Sequence, residues 1–135
     1  MRLNQATDYA FRAVLYLSRL PAGEVIEAKT IAEDEQIPIR FLLKILRLLS
    51  QSGIVESLRG VSGGYKLAKK PKEITMKDVV EAVEGPIEVN RCLIHPAECN
   101  KNGTGFCPLH KALFSIRQVL NRELASYDFE TLSKS

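Results

Sequence analysis

The 135-residue chain has no apolar run long enough to span a bilayer, so no transmembrane helix is expected. Outside residues 92–107 it has no cysteine, and the odd count of three, Cys92, Cys99 and Cys107, argues against a closed disulfide framework. Paired carboxylates, a nucleophile–base motif and a phosphate-binding glycine loop are all missing from the pattern, and the chain is not expected to be an enzyme. It also lacks internal repeats and low-complexity stretches. The apolar patch Ala13–Leu17 has Asp8 and Arg12 on its flank and no small-residue cleavage site after it, which disfavours a signal peptide. These absences lead us to expect a cytoplasmic protein without membrane partners, in a compartment that keeps thiols reduced. The length suits one domain, and 45% hydrophobic with 26% charged residues suits a folded core under a solvated surface.

The net charge of +3 is unevenly spread. Residues 1–77 hold 13 Lys/Arg against 8 Asp/Glu, whereas residues 78–135 hold 6 against 8. The stretch from Arg40 to Lys77 is the most biased, with nine basic residues opposed only by Glu56 and Glu73. A basic half beside an acidic one suggests a polyanion-binding module joined to something else.

The hydrophobic spacing predicts the elements. Ala6, Tyr9/Ala10, Ala13/Val14, Leu17 and Leu20 recur at helical intervals until Pro21-Ala22-Gly23 stops them. Val25-Ile26 is too short to assign. A short helix is expected from about Ala28 to Glu35, then a turn at Gln36-Ile37-Pro38. A third helix follows from Ile39 to Ser52, with Leu42, Ile45/Leu46 and Leu49 inward and Gly53 at its end. Its outward positions include Arg40, Lys44 and Arg47. Ile54–Leu58 and Tyr65–Leu67 read as two strands around the glycine-rich tip Arg59-Gly60-Val61-Ser62-Gly63-Gly64. Thr75 and Asp78 form a capping-box signal before Val79, Val80 and Val83, and Gly85-Pro86 ends that helix. The last long helix starts at Pro108, where Leu109, Leu113, Ile116, Leu120, Leu124 and Tyr127 make a narrow seam suited to a helix of a second subunit.

The expected fold is therefore mainly α with a small β-hairpin wing: a winged helix-turn-helix plus a long C-terminal dimerisation helix. The organisation implied is a DNA-binding unit over residues 1–84, a cysteine loop over 85–107, a dimerisation helix over 108–130 and a frayed tail over 131–135.

Thiolates are soft ligands favoured by iron–sulfur clusters, zinc and copper(I). The C-x₆-C-x₇-C spacing lacks the tight pairs of structural zinc sites, and a wide loop with glycine and asparagine suits a cluster wrapped by backbone. Three cysteines leave one position of a 2Fe–2S or 4Fe–4S cluster to fill. His110, three residues past Cys107 at a helix start, is the nearest candidate. His95, before Pro96, reads as a solvated side chain.

Several motifs together resemble the Rrf-two family of bacterial winged-helix regulators, with its IscR-, NsrR- and RirA-type members. They are Met1-Arg2-Leu3, Thr7-Asp8-Tyr9-Ala10, the run Gly53–Gly60, Gly63-Gly64-Tyr65-Lys66-Leu67, Ile74-Thr75, Asp78-Val79-Val80 and Glu84-Gly85. The resemblance covers nearly the whole chain, and the wing followed by the cysteine loop is its most specific part. It implies a homodimer on palindromic double-stranded DNA, with the third helix in the major groove and the wing at the minor groove. Arg40, Phe41, Lys44 and Arg47 would then face the major groove, and Arg59 and Gly60 the minor groove. Lys66, Lys69 and Lys70 would add salt-sensitive phosphate contacts. Leu43 departs from IscR-type members, which carry an acidic residue there, and leaves the operator sequence open. For the fourth ligand the resemblance offers two choices: His110, as in IscR-type 2Fe–2S proteins, or Asp8 donated by the partner subunit, as in NsrR-type 4Fe–4S proteins.

The expected function is a transcriptional regulator, a repressor, sensing iron, redox state or nitric oxide through the cluster. A thiol-oxidation or zinc switch is the alternative, and an iron–sulfur carrier or zinc-dependent enzyme is the alternative from another class.

Overall fold

A computed structural model describes residues 2–90, 93, 95–98 and 107–135. Helix α1 runs Gln5–Ser18, and the Asn4 side chain caps it by accepting the Thr7 N–H at 2.8 Å. Its Ala10, Ala13, Val14 and Leu17 are buried, so the period seen in the sequence is the core-facing stripe. Helix α2 spans Ala28–Glu35 and ends where Gln36 turns left-handed at φ 53°. That turn leads through buried Ile37 into α3, Ile39–Gln51, with Pro38 at its N-cap.

The end of α3 shows how local chemistry shapes the reading unit. Gly53 adopts φ 77°; its N–H donates to the Ser50 carbonyl at 3.1 Å, and the Ile54 N–H donates to the Leu49 carbonyl at 2.9 Å. This is a Schellman closure, and Ile54 and Leu49 bury the apolar contact that accompanies it. The chain then enters the antiparallel pair β1, Val55–Leu58, and β2, Gly64–Leu67, with Val55 opposite Leu67 and Leu58 opposite Gly64.

Ile26 of the pair Val25-Ile26, too short to assign from sequence, adds a one-residue bridge to the free edge of β2. The Ile26 N–H donates to the Tyr65 carbonyl at 3.0 Å, and the Tyr65 N–H returns to the Ile26 carbonyl at 2.8 Å. Gly64 is required for that approach, because a Cβ there would collide with the Ile26 carbonyl. This glycine of the glycine-rich tip is thus a packing residue.

A single 3₁₀ turn at Pro71–Glu73 precedes α4, Met76–Glu84. Its capping box is complete: the Asp78 N–H donates to the Thr75 hydroxyl at 3.2 Å, and the Thr75 N–H donates to the Asp78 carboxylate at 3.0 Å. Gly85 at φ 84° ends the helix. After a second 3₁₀ turn, Pro96–Glu98, the long helix α5 occupies Pro108–Ser126.

Two expectations about the C-terminal region need correction. Helix α5 does not continue to residue 130; it stops at Ser126 because the chain extends at Tyr127 and Asp128 to pair with the segment before α4. The Met76 N–H donates to the Tyr127 carbonyl and the Phe129 N–H to the Ile74 carbonyl, each at 2.9 Å. Nor is the tail frayed. Asp128 caps a further helix, α6, Phe129–Ser133, by accepting the Thr131 N–H at 2.8 Å, and Phe129 is only 1% exposed. Burying a phenylalanine stabilises by about 1.5–3 kcal/mol, enough to dock a five-residue helix that would not form alone.

One core joins α1, α2, α3, β1, α4 and α6, through Val14, Ile31, Leu42, Leu46, Val55, Val79 and Phe129 among others. The architecture is a winged helix-turn-helix carrying a long helix along one side. That helix packs on α4 but has no fully buried residue, and Leu109 is 72% exposed. No helix among the described residues is long and apolar enough to cross a membrane.

Candidate functional site

The first candidate surface is the outer side of α3. Leu42, Ile45, Leu46 and Leu49 are locked into the core, which forces Arg40, Lys44 and Arg47 to the opposite, solvent side. Phe41, beside this stripe, is exposed as well. Arg59 and Gly60 stand exposed at the start of the wing tip, and Gly60 takes φ 105°. Among the described residues, Arg40, Lys44, Arg47 and Arg59 engage no side-chain hydrogen bond or ion pair. They present bare positive charge.

Lys66 differs. It sits directly opposite Glu56 across the hairpin, with Nζ 3.8 Å from the carboxylate. Such a cross-strand pair is worth well under about 1 kcal/mol in solvent, so it biases the lysine without locking it. Lys69 and Lys70 are exposed just beyond β2.

The second candidate surface is where α5 begins. Cys107 is its N-cap residue and a free, half-buried thiol, and Pro108 opens the helix. His110, also half-buried, lies in the same first turn, which the Lys111 N–H closes onto the Cys107 carbonyl at 3.2 Å. Cys107 and His110 are therefore held on one end of one helix. Cys92 and Cys99 lie outside the described residues, and among those described no three His, Cys, Asp or Glu side chains gather around one point. His95 is exposed. As donors, the three thiols and the imidazole match a soft iron–sulfur site.

Asp8 is elsewhere. It projects from the first turn of α1 and holds Arg12, whose Nη2 and Nε lie 2.7 and 3.3 Å from the same carboxylate oxygen. The hydrogen bond that Arg12 donates to Asp8 raises the Arg12 pKa above its already high normal value. Arg12 also donates to the Glu35 carbonyl at 3.1 Å and lies 5.0 Å over the Tyr9 ring. The aspartate carboxylate is thus on the surface, tied toward the end of α2.

Sequence reasoning missed three links around this region. Thr7, fully buried, donates its hydroxyl to the Glu84 carboxylate, which also accepts the Asn4 N–H at 3.4 Å. Arg117 of α5 reaches the Leu93 carbonyl at 3.4 Å. Tyr16 donates to Asp34 at 2.5 Å, and that bond is the main reason its pKa is pushed up to about 12. Each joins residues far apart in the chain, so no local pattern announces it.

A groove of about 670 Å³ runs between the N-terminal arm, the end of α4 and the C-terminal half of α5. Leu3, Val80, Ile87, Val89, Leu120 and Leu124 line it. Leu120 and Leu124 belong to the seam anticipated from the sequence; Leu113 is also half-buried, whereas Leu109 and Ile116 project into solvent.

Comparison with known proteins adds a lineage to this geometry. The model of the Rrf2 (Rrf-two) family, described as an iron-dependent transcriptional regulator, matches residues 3–135. The HTH-type transcriptional regulator NsrR of Shouchella clausii is 34% identical over 130 residues, covering 90% of this chain and 84% of that protein. Two solved structures share the fold. T. potens IscR superposes with a TM-score of 0.76 at 21% identity, covering 99% of this chain and 88% of its own. The oxidised form of Staphylococcus aureus CymR gives 0.75 at 21%, covering 100% and 98%.

Proposed function

The chain belongs to the Rrf2 family of transcriptional regulators, and from that premise we propose that it is a homodimeric repressor that binds a palindromic operator and senses its signal through an iron–sulfur cluster. The observation that carries the DNA part is the split character of α3. One side is wholly core; the other bears Arg40, Lys44 and Arg47 without internal partners, and Arg59 extends the same charge onto the wing. A helix and wing of this kind lay the helix in the major groove and the arginine at the minor groove. Gly60, with its positive φ, gives the backbone room to turn beside the duplex, and Lys66 adds phosphate attraction.

The dimer is proposed from α5. A 19-residue helix with no buried residue and with Leu109 and Ile116 in solvent is a face in want of a partner. Leu113, Leu120 and Leu124 complete the seam that a second copy of the helix would cover. Residues 1–84 serve as the reading unit, 85–107 as the sensing loop and 108–126 as the dimer helix.

Cys92, Cys99 and Cys107 would hold the cluster, with His110 of the same chain as fourth ligand and Asp8 of the partner subunit as the rival. When bound, the cluster supplies a charge and ligand set that respond to iron supply, redox state or nitric oxide. The chain's own residues carry that response outward. Arg117 connects the loop at Leu93 to α5, and Glu84 connects the loop entrance to α1.

The test is anaerobic purification with iron, sulfide and zinc analysis, followed by binding to duplexes selected from a random pool. Iron and sulfide in the protein, and affinity that falls steeply with salt, are expected. Each of Arg40→Ala, Lys44→Ala and Arg47→Ala should reduce the slope of log affinity against log salt by about 1.8 for the dimer, about 0.9 per subunit, if it meets a phosphate. Zinc without sulfide would favour the zinc switch; metal-free protein with reversible thiol oxidation would favour the redox switch. A cluster without salt-dependent DNA affinity would favour a carrier.

A further inference from the structure

The outer side of α3 holds more than charge. With 3.6 residues per turn, Arg40, Lys44 and Arg47 fall within about 60° of arc. Leu43 lies about 40° to one side of that stripe and Phe41 about 60° to the other. Both are large apolar side chains left in water, Leu43 45% and Phe41 53% exposed, although the core on the far side of the same helix is complete. Both also sit in the first turns of the helix, the end that reaches base edges when a helix-turn-helix docks.

Resting on the proposed DNA-reading role of α3, we propose that Leu43 and Phe41 read the 5-methyl groups of thymines on either side of the bases and phosphates engaged by the basic stripe. The thymine methyl is the one apolar group that the major groove displays, and apolar side chains are its natural contacts. The charge between the two residues selects this occupant. A protein partner wide enough to cover Leu43 and Phe41 together would bury Lys44 and Arg47 between them, whereas a duplex neutralises those charges as it covers the flanks. Leu43 carries no charge, so nothing at that position repels a pyrimidine carbonyl.

The test starts from the duplex that the full-length protein selects from a random pool. Each thymine of one half-site is replaced singly by deoxyuridine, which deletes only the 5-methyl group. At one or two positions per half-site, affinity should fall about fourfold, the equivalent of one buried methylene. The change made in both half-sites of a palindrome should cost about sixteenfold. Leu43→Ala should lower affinity for the thymine duplex and remove the deoxyuridine effect at one position, and Phe41→Ala at another. Both residues are exposed, and unchanged circular dichroism would show that the variants fold. Wild-type affinity retained on every deoxyuridine duplex overturns the inference and leaves DNA binding intact. A deoxyuridine effect that persists in both variants also overturns it, by assigning the effect to DNA shape. A protein that selects no duplex overturns the reading of α3 and this inference with it.

Discussion

The hydroxyl of Thr7 donates to the carboxylate of Glu84 across 77 residues of chain, and Glu84 is the last residue of α4 before the segment that leads to the cysteines. Asp8, the rival cluster ligand, is the next residue along from Thr7. One hydrogen bond therefore joins the start of α1 to the entrance of the proposed sensing loop. Removing it with Thr7→Val keeps the volume and loses the donor. We expect a loss of about 0.5–1.5 kcal/mol in denaturant unfolding. Glu84→Gln, which keeps an acceptor, should cost less. Equal losses from the two would count against the assigned bond.

The two candidates for the fourth ligand separate cleanly because their surroundings differ. His110 shares a helical turn with Cys107, whereas Asp8 is exposed and paired with Arg12. His110→Ala is expected to alter the visible absorption of anaerobically reconstituted protein and to speed its bleaching in air. Asp8→Ala should leave the spectrum intact and change stability by no more than about 0.5 kcal/mol, the worth of an exposed i, i+4 pair. The reverse pattern would assign the ligand to Asp8.

Tyr16 gives a pH signature on the alkaline side. Its hydrogen bond to Asp34 requires the neutral phenol, and the folded-state pKa is raised from 10.0 to about 12. A folded pKa above the unfolded one means that the stabilisation is complete below pH 10 and declines as pH rises toward 12. Tyr16→Phe should therefore be less stable than the parent at pH 8, and the gap should narrow by pH 11. A gap that does not change with pH would contradict the assignment.

Phe129 anchors the C-terminal helix α6 to the core of the reading unit. Phe129→Ala should destabilise the chain by about 3–5 kcal/mol, as for other buried aromatic truncations. Tyr127→Ala should cost no more than about 0.5 kcal/mol, because Tyr127 is half exposed and its main-chain carbonyl keeps the bond to Met76. Thermal or urea unfolding of the two variants side by side checks the contrast.

How far these features could be read in advance follows from how local each one is. The α3 stripe, the Gly53 closure and the Thr75–Asp78 box arise within a few residues, and the sequence shows them almost to the residue. The Ile26–Tyr65 rung depends on two segments 39 positions apart meeting at Gly64, and a lone dipeptide carries no periodicity to announce it. Phe129 was obscured because it is off the seam of α5, and the nearby Ser and Lys residues resemble a fraying end. For the candidate site, Cys107 and His110 were legible as an i, i+3 pair at a helix start; the hold of Arg12 on Asp8 and Glu35 was not.

By itself, then, the sequence determined the order of helices α1 to α5, the wing, the basic outer side of α3 and the thiol donors, because periodicity, capping and ligand chemistry act over short stretches. The tertiary structure alone decided which bonds tie those pieces together: Thr7 to Glu84, Ile26 to Tyr65, and the Tyr127–Phe129 segment to Ile74–Met76. Buried polar and backbone groups must find partners, and which partner comes within reach is set only when the core has closed around them.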